Sequence, residues 1–357
     1  MELKIYGCRG SYPMARRDVL SYGGNSTCIH FRSASGQDII IDGGSGIRGL
    51  GEAMMRREFG SGKGEAHILV GHTHWDHILG YPFFDPLYQE GNRFVFVSAG
   101  QTDAHIKDIL SGQHDDIHFP VPFADLRAEM EYQAFKPGES FQLGDFRVET
   151  VQLNHPGITV GYRIEADGRV ATVYTDNARV RKVRLGDGQG GPEPDPAFTE
   201  GFLDRLSRTA RESDIFIHDT HFFEHEMMGR YHWGHSTVED ALELAVLAEV
   251  KKLVLFHHAP EHSDTVVDEK LFLARDLSRE FDFRVDCAFE GLTYRVGEGE
   301  RVGEGESVGE GERVGGGERV GGGERDGEGE RDGEGERVGD EEDDLNVNHN
   351  RGPEVSS

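Results

Sequence analysis

Short hydrophobic runs alternate along residues 1–296 with longer stretches in which apolar positions recur every three or four residues. Runs of four to eight residues bounded by Gly, Pro, Asn or Asp are typical of strands, and the longer spacing is typical of amphipathic helices. The pattern predicts strands at Leu3 to Tyr6, Thr27 to Phe31, Asp38 to Ile41, Ala66 to Val70, Phe94 to Val97, Phe146 to Leu153, Thr159 to Glu165, Val170 to Tyr174, Asp214 to Ile217, Leu253 to Phe256, Arg284 to Cys287 and Leu292 to Val296. It predicts helices at Ile47 to Phe59, Thr102 to Leu110, Phe202 to Glu212, Val238 to Val250 and Glu269 to Phe281.

The order of these elements predicts the fold class. Strands cluster in each half of residues 1–296, and helices follow them. Two sheets packed face to face, with helices on both outer faces, would bury the apolar positions of all these elements. We therefore expect an α/β fold. A Gly- and Pro-rich stretch from Arg181 to Pro196 interrupts the rhythm and predicts a surface loop.

The last 61 residues, 297–357, differ in composition from the rest of the chain. They contain 18 Gly, 20 Asp or Glu and 7 Arg, and they have no aromatic residue. Seven hexapeptides, mostly Gly-Glu-Gly-Glu-Arg-Val, run from Gly297 to Val338. Such a segment buries too little apolar surface to offset the entropy of ordering it. We expect one domain at residues 1–296 and a disordered low-complexity tail at residues 297–357.

Charge and cysteine content exclude several classes of protein. The formal net charge is −28, of which −15 belongs to residues 1–296. An acidic domain lacks the positive charge that dominates binding of long nucleic acids. No apolar run approaches the roughly 18 residues of a membrane span, and no signal peptide is evident. Three widely spaced cysteines, Cys8, Cys28 and Cys287, argue against a disulfide framework. We expect a soluble cytoplasmic protein. The sequence does not decide between a monomer and a homodimer.

The strongest chemical signal is the segment Gly-His-Thr-His-Trp-Asp-His at residues 71–77, directly after a predicted strand. Three imidazoles and a carboxylate so close together would desolvate one another without a cation, and zinc prefers this mixture of N and O ligands. His72 and His74 lie on the same side of an extended chain and can share one ion. Asp76 and His77, beyond the turn, can reach a second.

This segment resembles the His-x-His-x-Asp-His motif of the metallo-β-lactamase fold superfamily. Asp42 with its two following glycines is similar to that family's early Asp-Gly turn, and we expect Asp42 to be structural. The resemblance implies an αββα sandwich of two mixed sheets flanked by helices. It also implies three further metal ligands at strand ends, which match His155, Asp176 and His257. His258 remains the alternative to His257.

The resemblance implies a dinuclear centre. One ion is held by His72, His74 and His155, and the other by Asp76, His77 and His257, with Asp176 bridging the two. We expect two divalent metal ions, zinc first and manganese as the alternative. Zinc lowers the pKa of bound water to about 7, and a hydroxide bridging the two ions would be the nucleophile.

A second resemblance narrows the reaction. Residues 217–221, Ile-His-Asp-Thr-His, are similar to the His-Glu-Ala-Thr segment of the tRNase Z-like phosphodiesterases, and residues 234–237, Gly-His-Ser-Thr, to their His-Ser-Thr loop. The resemblance implies that His235 donates to a phosphate oxygen or to the leaving oxygen and that Asp219 keeps this imidazole charged. We expect His235 to protonate the leaving oxygen and Asp76 to orient the nucleophile or accept its proton. The Ser236 and Thr237 hydroxyls would form an anion site at a helix start.

The substrate predicted by these features is a small phosphodiester, such as a cyclic nucleotide or a cyclic sugar phosphate. tRNase Z is expected to carry a long arm between its third ligand and its bridging Asp. Here His155 and Asp176 are only 21 positions apart. The alternative is a carboxyl-ester, lactone or thioester hydrolase, which needs the metals but not Asp219 and His235. An RNA 3′-processing endonuclease and a non-catalytic metal-binding module rank lower.

Overall fold

Two seven-stranded β-sheets form the centre of the protein in a computed structural model, which describes residues 1–100, 102, 104–179 and 196–297. All described residues belong to one compact unit. The predicted loop Arg181 to Pro196 lies outside them except for its last residue, and the predicted tail lies outside them beyond Gly297. None of the helices in the described ranges is both long and apolar enough to cross a membrane.

The first sheet combines antiparallel strands at one edge with parallel strands at the other. Numbered in chain order, its strands lie side by side as β14 (Thr293–Arg295), β1 (Glu2–Gly7), β2 (Cys28–Arg32), β3 (Asp38–Ile41), β4 (Glu65–Val70), β5 (Arg93–Ala99) and β6 (Glu129–Phe135). The parallel part, β3 to β6, requires crossover connections, which helices and turns supply.

The second sheet repeats this arrangement. Its strands lie side by side as β13 (Arg284–Cys287), β12 (Lys252–Phe256), β11 (Ile215–Asp219), β10 (Arg169–Tyr174), β9 (Val160–Ala166), β8 (Phe146–Gln152) and β7 (Ser140–Leu143). Strands β10 to β13 are parallel, whereas β7 to β10 pair in antiparallel fashion. Because β8 and β10 are both antiparallel to β9, their carboxyl ends lie at the same edge of the sheet.

Helices cover the outer face of each sheet. They are α1 (Ile47–Met55), α2 (Trp75–Ile78), α3 (Ala104–Gly112), α4 (Pro196–Ala210), α5 (Val238–Leu247) and α6 (Asp264–Leu277). One apolar core lies between the sheets, and it includes Phe31, Ile41, Val148 and Ile217. A second core joins the first sheet to α1 and α3, and a third joins the second sheet to α4, α5 and α6. The four layers confirm the predicted αββα sandwich.

Most predicted elements are present, with differences mainly at their ends. The strands Asp38–Ile41 and Arg284–Cys287 have the predicted bounds. Helix α6 begins five residues earlier than predicted because Ser263 caps it, with its Oγ accepting a hydrogen bond from the Val266 N–H. The edge strand β6 was missed, although its alternating exposed and half-buried residues carry a period-two signal.

Candidate metal centre

Three histidines form the first part of the site at the carboxyl edge of the two sheets. His72 and His74 follow β4, and His155 follows β8 on the facing sheet. The centroid of the His72 ring lies 4.5 Å from that of His74 and 4.8 Å from that of His155. His155 Nε2 lies 3.0 Å from His74 Nδ1. Their nitrogen atoms are therefore close enough to bind one ion together.

Asp76, His77 and His257 form the second part of the site. Asp76 and His77 lie on the short helix α2, and His257 directly follows β12. Asp76 Oδ2 lies 3.3 Å from His77 Nε2 and 3.2 Å from His257 Nε2. The Asp76 carboxylate also accepts a hydrogen bond of 2.7 Å from the backbone N–H of Ser11. The N-terminal loop therefore helps to position this carboxylate.

Asp176, which follows β10, lies between the two parts. Its Oδ2 is 3.8 Å from His72 Nε2 and 3.7 Å from His155 Nε2. Its Oδ1 is 3.0 Å from His77 Nε2 and 3.4 Å from His257 Nε2. One carboxylate oxygen thus faces each set of histidines, which is the geometry that a bridging ligand requires.

Hydrogen bonds donated by Nδ1 orient two of these imidazoles. His77 Nδ1 donates to Asp42 Oδ2 at 2.7 Å, and His155 Nδ1 donates to the Gly234 carbonyl at 2.9 Å. In both rings Nε2 is left to face the centre. Partners of this kind set the tautomer of metal-binding histidines. Asp42, expected to be structural, also accepts the Gly71 N–H at 2.7 Å and so joins β3 to the start of the histidine segment.

The chemistry of the donor set fits metal ions. Both ring nitrogens of His72 are buried and have no hydrogen-bond partner among the described residues. Buried polar atoms without a partner are costly, and a cation bound at Nε2, which faces Asp176, would satisfy one of them. Burial lowers the pKa of His72 well below its usual value and that of His155 to about 4. Both imidazoles are therefore neutral and have a lone pair to donate.

The structure also distinguishes His257 from His258. His257 adopts a left-handed backbone conformation with φ of 58°, and its Nε2 faces Asp76 and Asp176. His258 points away from the centre, and its Nε2 donates to the Ala288 carbonyl at 2.9 Å. Of the two neighbouring histidines, only His257 lies with the other predicted ligands.

His235 and Asp219 form a buried pair beside the predicted ligands. Asp219 ends β11, and His235 precedes α5. Asp219 Oδ2 accepts a hydrogen bond of 2.8 Å from His235 Nδ1, which is also 4.0 Å from Asp176 Oδ2. Burial lowers the pKa of His235, although the carboxylates of Asp176 and Asp76 oppose that shift. The pair lies where it can exchange a proton with a group bound at the centre.

The hydroxyls next to His235 have structural partners. Thr237 caps α5, because its Oγ1 accepts the Asp240 N–H at 3.3 Å and Asp240 Oδ2 accepts the Thr237 N–H at 3.0 Å. Ser236 Oγ donates a short hydrogen bond to the Asn177 carbonyl. The proton of Ser236 Oγ is therefore engaged, whereas Thr237 Oγ1 acts only as an acceptor in its cap, and the implied anion site stays a prediction.

Two residues near the centre were not assigned a role from the sequence. His221 stacks on His235, with centroids 4.3 Å apart and ring planes 17° apart, and its Nδ1 donates to the His257 carbonyl at 2.9 Å. Lys270 on α6 is buried behind it. His221 belongs to the segment compared with the phosphodiesterases, so a signal for it was present. No such signal was present in the sequence for Lys270, since it is 35 positions away from His235.

Comparison with known proteins agrees with this geometry. The model of a family described as β-lactamase superfamily domain matches residues 37–258, a range that includes all seven predicted ligands. The chain belongs to the β-lactamase superfamily. A ribonuclease Z of Halalkalibacterium halodurans is 23% identical over an alignment of 294 residues. The match covers 74% of this chain and 90% of the relative.

Two solved structures share the fold of this chain. The short form of human tRNase Z has 18% identity and a TM-score of 0.52, with 83% of this chain and 99% of that chain covered. A diphosphatase of the PhnP family has 17% identity and a TM-score of 0.52, with 82% and 96% covered. This chain is a metal-dependent hydrolase with the metallo-β-lactamase fold.

Proposed function

We propose that the protein is a dinuclear phosphodiesterase that acts on a small phosphodiester, such as a cyclic nucleotide or a cyclic sugar phosphate. The observation that carries this proposal is the hydrogen bond of 2.8 Å between His235 Nδ1 and Asp219 Oδ2 beside Asp176. Release of a poor alkoxide leaving group from phosphorus needs a proton donor. A lactone or thioester hydrolase could use the same metal ligands without this pair.

The residues that would hold the metal ions follow from the distances above. His72, His74 and His155 would bind one ion, Asp76, His77 and His257 the other, and Asp176 both. Two bound divalent ions supply a nucleophile at neutral pH and stabilise the charge that develops on a phosphoryl group. Zinc is the expected metal and manganese the alternative, because the set combines imidazole with carboxylate.

The side chains then divide the proton transfers between them. Asp76, oriented by the Ser11 N–H, accepts the proton of the attacking water. In its charged form, His235 donates the Nδ1 proton in a hydrogen bond to Asp219 and carries a second proton on Nε2, which goes to the leaving oxygen. The buried Asp219 carboxylate also accepts the backbone N–H of His221 at 2.8 Å, which fixes its orientation.

The short segment between His155 and Asp176 favours a small substrate. It contains only the hairpin of β9 and β10, joined through Asp167 and Gly168, and no added arm. The net charge of −15 on residues 1–296 also disfavours a long polyanion. In contrast, the relative from Halalkalibacterium halodurans is named as a ribonuclease, and the match covers 90% of the length of that relative. RNA 3′ processing is therefore the second candidate.

A substrate panel tests the proposal. The metal-loaded enzyme is assayed with bis-p-nitrophenyl phosphate, 3′,5′- and 2′,3′-cyclic nucleotides, a lactone series and a precursor tRNA with a 3′ trailer. Asp176→Asn is the control for contaminating activity. Turnover of cyclic nucleotides or other small diesters that exceeds turnover of the lactones supports the proposal. Cleavage of the precursor tRNA alone would establish the second candidate, and lactone turnover alone would replace both.

A further inference from the structure

Lys270 is a fully buried lysine in the middle of α6. Its Nζ donates hydrogen bonds of 2.6 Å each to the backbone carbonyls of Thr220 and His221. Burial of an amine in an apolar interior is unfavourable, and a methionine would fill similar space without that cost. The lysine therefore contributes the two hydrogen bonds that its Nζ donates to these carbonyls.

The two carbonyls need a donor because the chain leaves its strand at this point. Strand β11 ends at Asp219, and the Thr220 N–H still donates to the Phe256 carbonyl of β12 at 2.9 Å. Successive carbonyls of a strand point to opposite sides, so one neighbouring strand cannot bond both. Those of Thr220 and His221 both point to Lys270. Without Nζ, these two carbonyls would lose this donor, which is unfavourable for buried polar groups.

This turn carries the groups that surround His235. Asp219 Oδ1 accepts the His221 N–H at 2.8 Å, while Asp219 Oδ2 accepts His235 Nδ1 at 2.8 Å. The His221 ring lies against the ring of His235, and its Nδ1 donates to the carbonyl of His257. The position of the main chain at Thr220 and His221 therefore determines where Asp219 and His221 meet His235.

We propose that Lys270 is a positioning residue for the reaction: it fixes the turn after β11 and thereby holds Asp219 and His221 against His235. Lys270 does not touch the substrate and acts only through this turn. The inference rests on the proposed function of His235 as the proton donor, and it adds to that function a buried amine on a different element, α6.

Lys270→Met tests the inference, and Lys252→Met is the matched control. Lys252 is also buried, at the opposite end of β12 from His257, where its Nζ lies 3.4 Å from Asp286 Oδ2 and 4.5 Å from the Tyr294 ring centroid. With a poor leaving group, Lys270→Met should lower kcat by about 10- to 100-fold, the usual range for partners of site residues. The loss should be smaller with bis-p-nitrophenyl phosphate, while metal content and KM stay close to wild type. Lys252→Met should not change kcat with either substrate.

Two further measurements separate positioning from general damage. In a double-mutant cycle, Lys270→Met should cause no additional loss in a His235→Ala background, because both changes remove the same step. In proton NMR spectra, the hydrogen-bonded Nδ1 proton of His235, assigned by its absence in His235→Ala, should be lost or shifted in Lys270→Met and retained in Lys252→Met. If Lys270→Met does not fold, Lys270→Leu, which also lacks a donor, takes its place.

The outcomes distinguish this inference from the proposed function. An unchanged NMR signal together with unchanged kcat in a folded Lys270 variant would overturn the positioning role and leave the phosphodiesterase intact. Additive losses in the cycle, or equal losses with both leaving groups, would do the same. Absence of phosphodiester turnover in the wild type would instead overturn the proposed function, and the NMR comparison would still report on the turn.

Discussion

Asp42 Oδ2 accepts a hydrogen bond of 2.7 Å from His77 Nδ1, although the two residues are 35 positions apart and both are fully buried. The contact determines which nitrogen of His77 faces Asp76 and Asp176. Asp42 adopts a left-handed conformation with φ of 59°, which asparagine also tolerates. The role of this carboxylate can therefore be tested without straining the backbone.

Asp42→Asn should weaken metal binding by about 10- to 100-fold, because the amide would present an N–H to His77 Nδ1 and move the ring proton to Nε2. Competition with a chromogenic chelator measures the affinity. Asp167→Asn is the control, since Asp167 has a similar φ of 54° at the hairpin between β9 and β10. Equal affinity in the Asp42 variant and the wild type would show that Asp42 has no influence on the metal ligands.

His235→Ala should separate proton transfer from metal binding. If His235 is the proton donor, kcat should fall by about 10² to 10⁴ for substrates with poor leaving groups and much less for p-nitrophenyl esters, with metal content intact. Asp219→Asn should act in the same direction more mildly. The exposed His118→Ala is the control. Equal losses on activated and unactivated diesters would point to phosphate binding instead of acid catalysis.

The protein should bind about two metal ions per chain, because seven predicted ligands are too many for one tetrahedral zinc. Elemental analysis after saturation at neutral pH and gel filtration measures the ratio. Asp176→Asn should lower the ratio below two, since each carboxylate oxygen faces one half of the site. A ratio of one or less in the wild type would contradict the dinuclear scheme.

Removal of residues 297–357 should leave turnover and melting temperature nearly unchanged. The segment has no aromatic residue and offers at most about one apolar side chain in each hexapeptide, so we expect it to add little burial. Melting curves and the panel assay of the shortened and full chains provide the comparison. A substantial decrease in either quantity would show that the tail contributes to the fold.

Lys270 should make stability depend on pH above neutrality. Burial lowers its pKa to about 7 from 10.5, so the folded protein binds fewer protons than the unfolded chain between these values. The free energy of unfolding should therefore rise with pH by about 1.4 kcal/mol per unit across that window, and this contribution is lost as pH falls to 7. Urea denaturation of wild type and Lys270→Met at several pH values measures the difference. Parallel pH profiles would show that folding does not change the pKa of Lys270.

Local spacing was sufficient to predict much of the fold and of the site. Apolar runs bounded by turn residues predicted most strands and helices, because period and composition depend on neighbours in the chain. The cluster from His72 to His77 was evident for the same reason, since its predicted ligands lie within one strand end and one turn. The resemblance to a known family then supplied the distant candidates His155, Asp176 and His257.

Tertiary structure decided what depends on residues far apart in the chain. The sequence alone left His257 and His258 as alternatives, and the backbone at the end of β12 turns only the first toward Asp76. The fold also gives the Ser236 hydroxyl a partner in the Asn177 carbonyl, which lies 59 positions earlier in the chain. Lys270 carried no local signal, because its effect on the site arises from carbonyls about 50 positions earlier in the chain. Such contacts form only when α6 packs on the second sheet, and no periodicity encodes them.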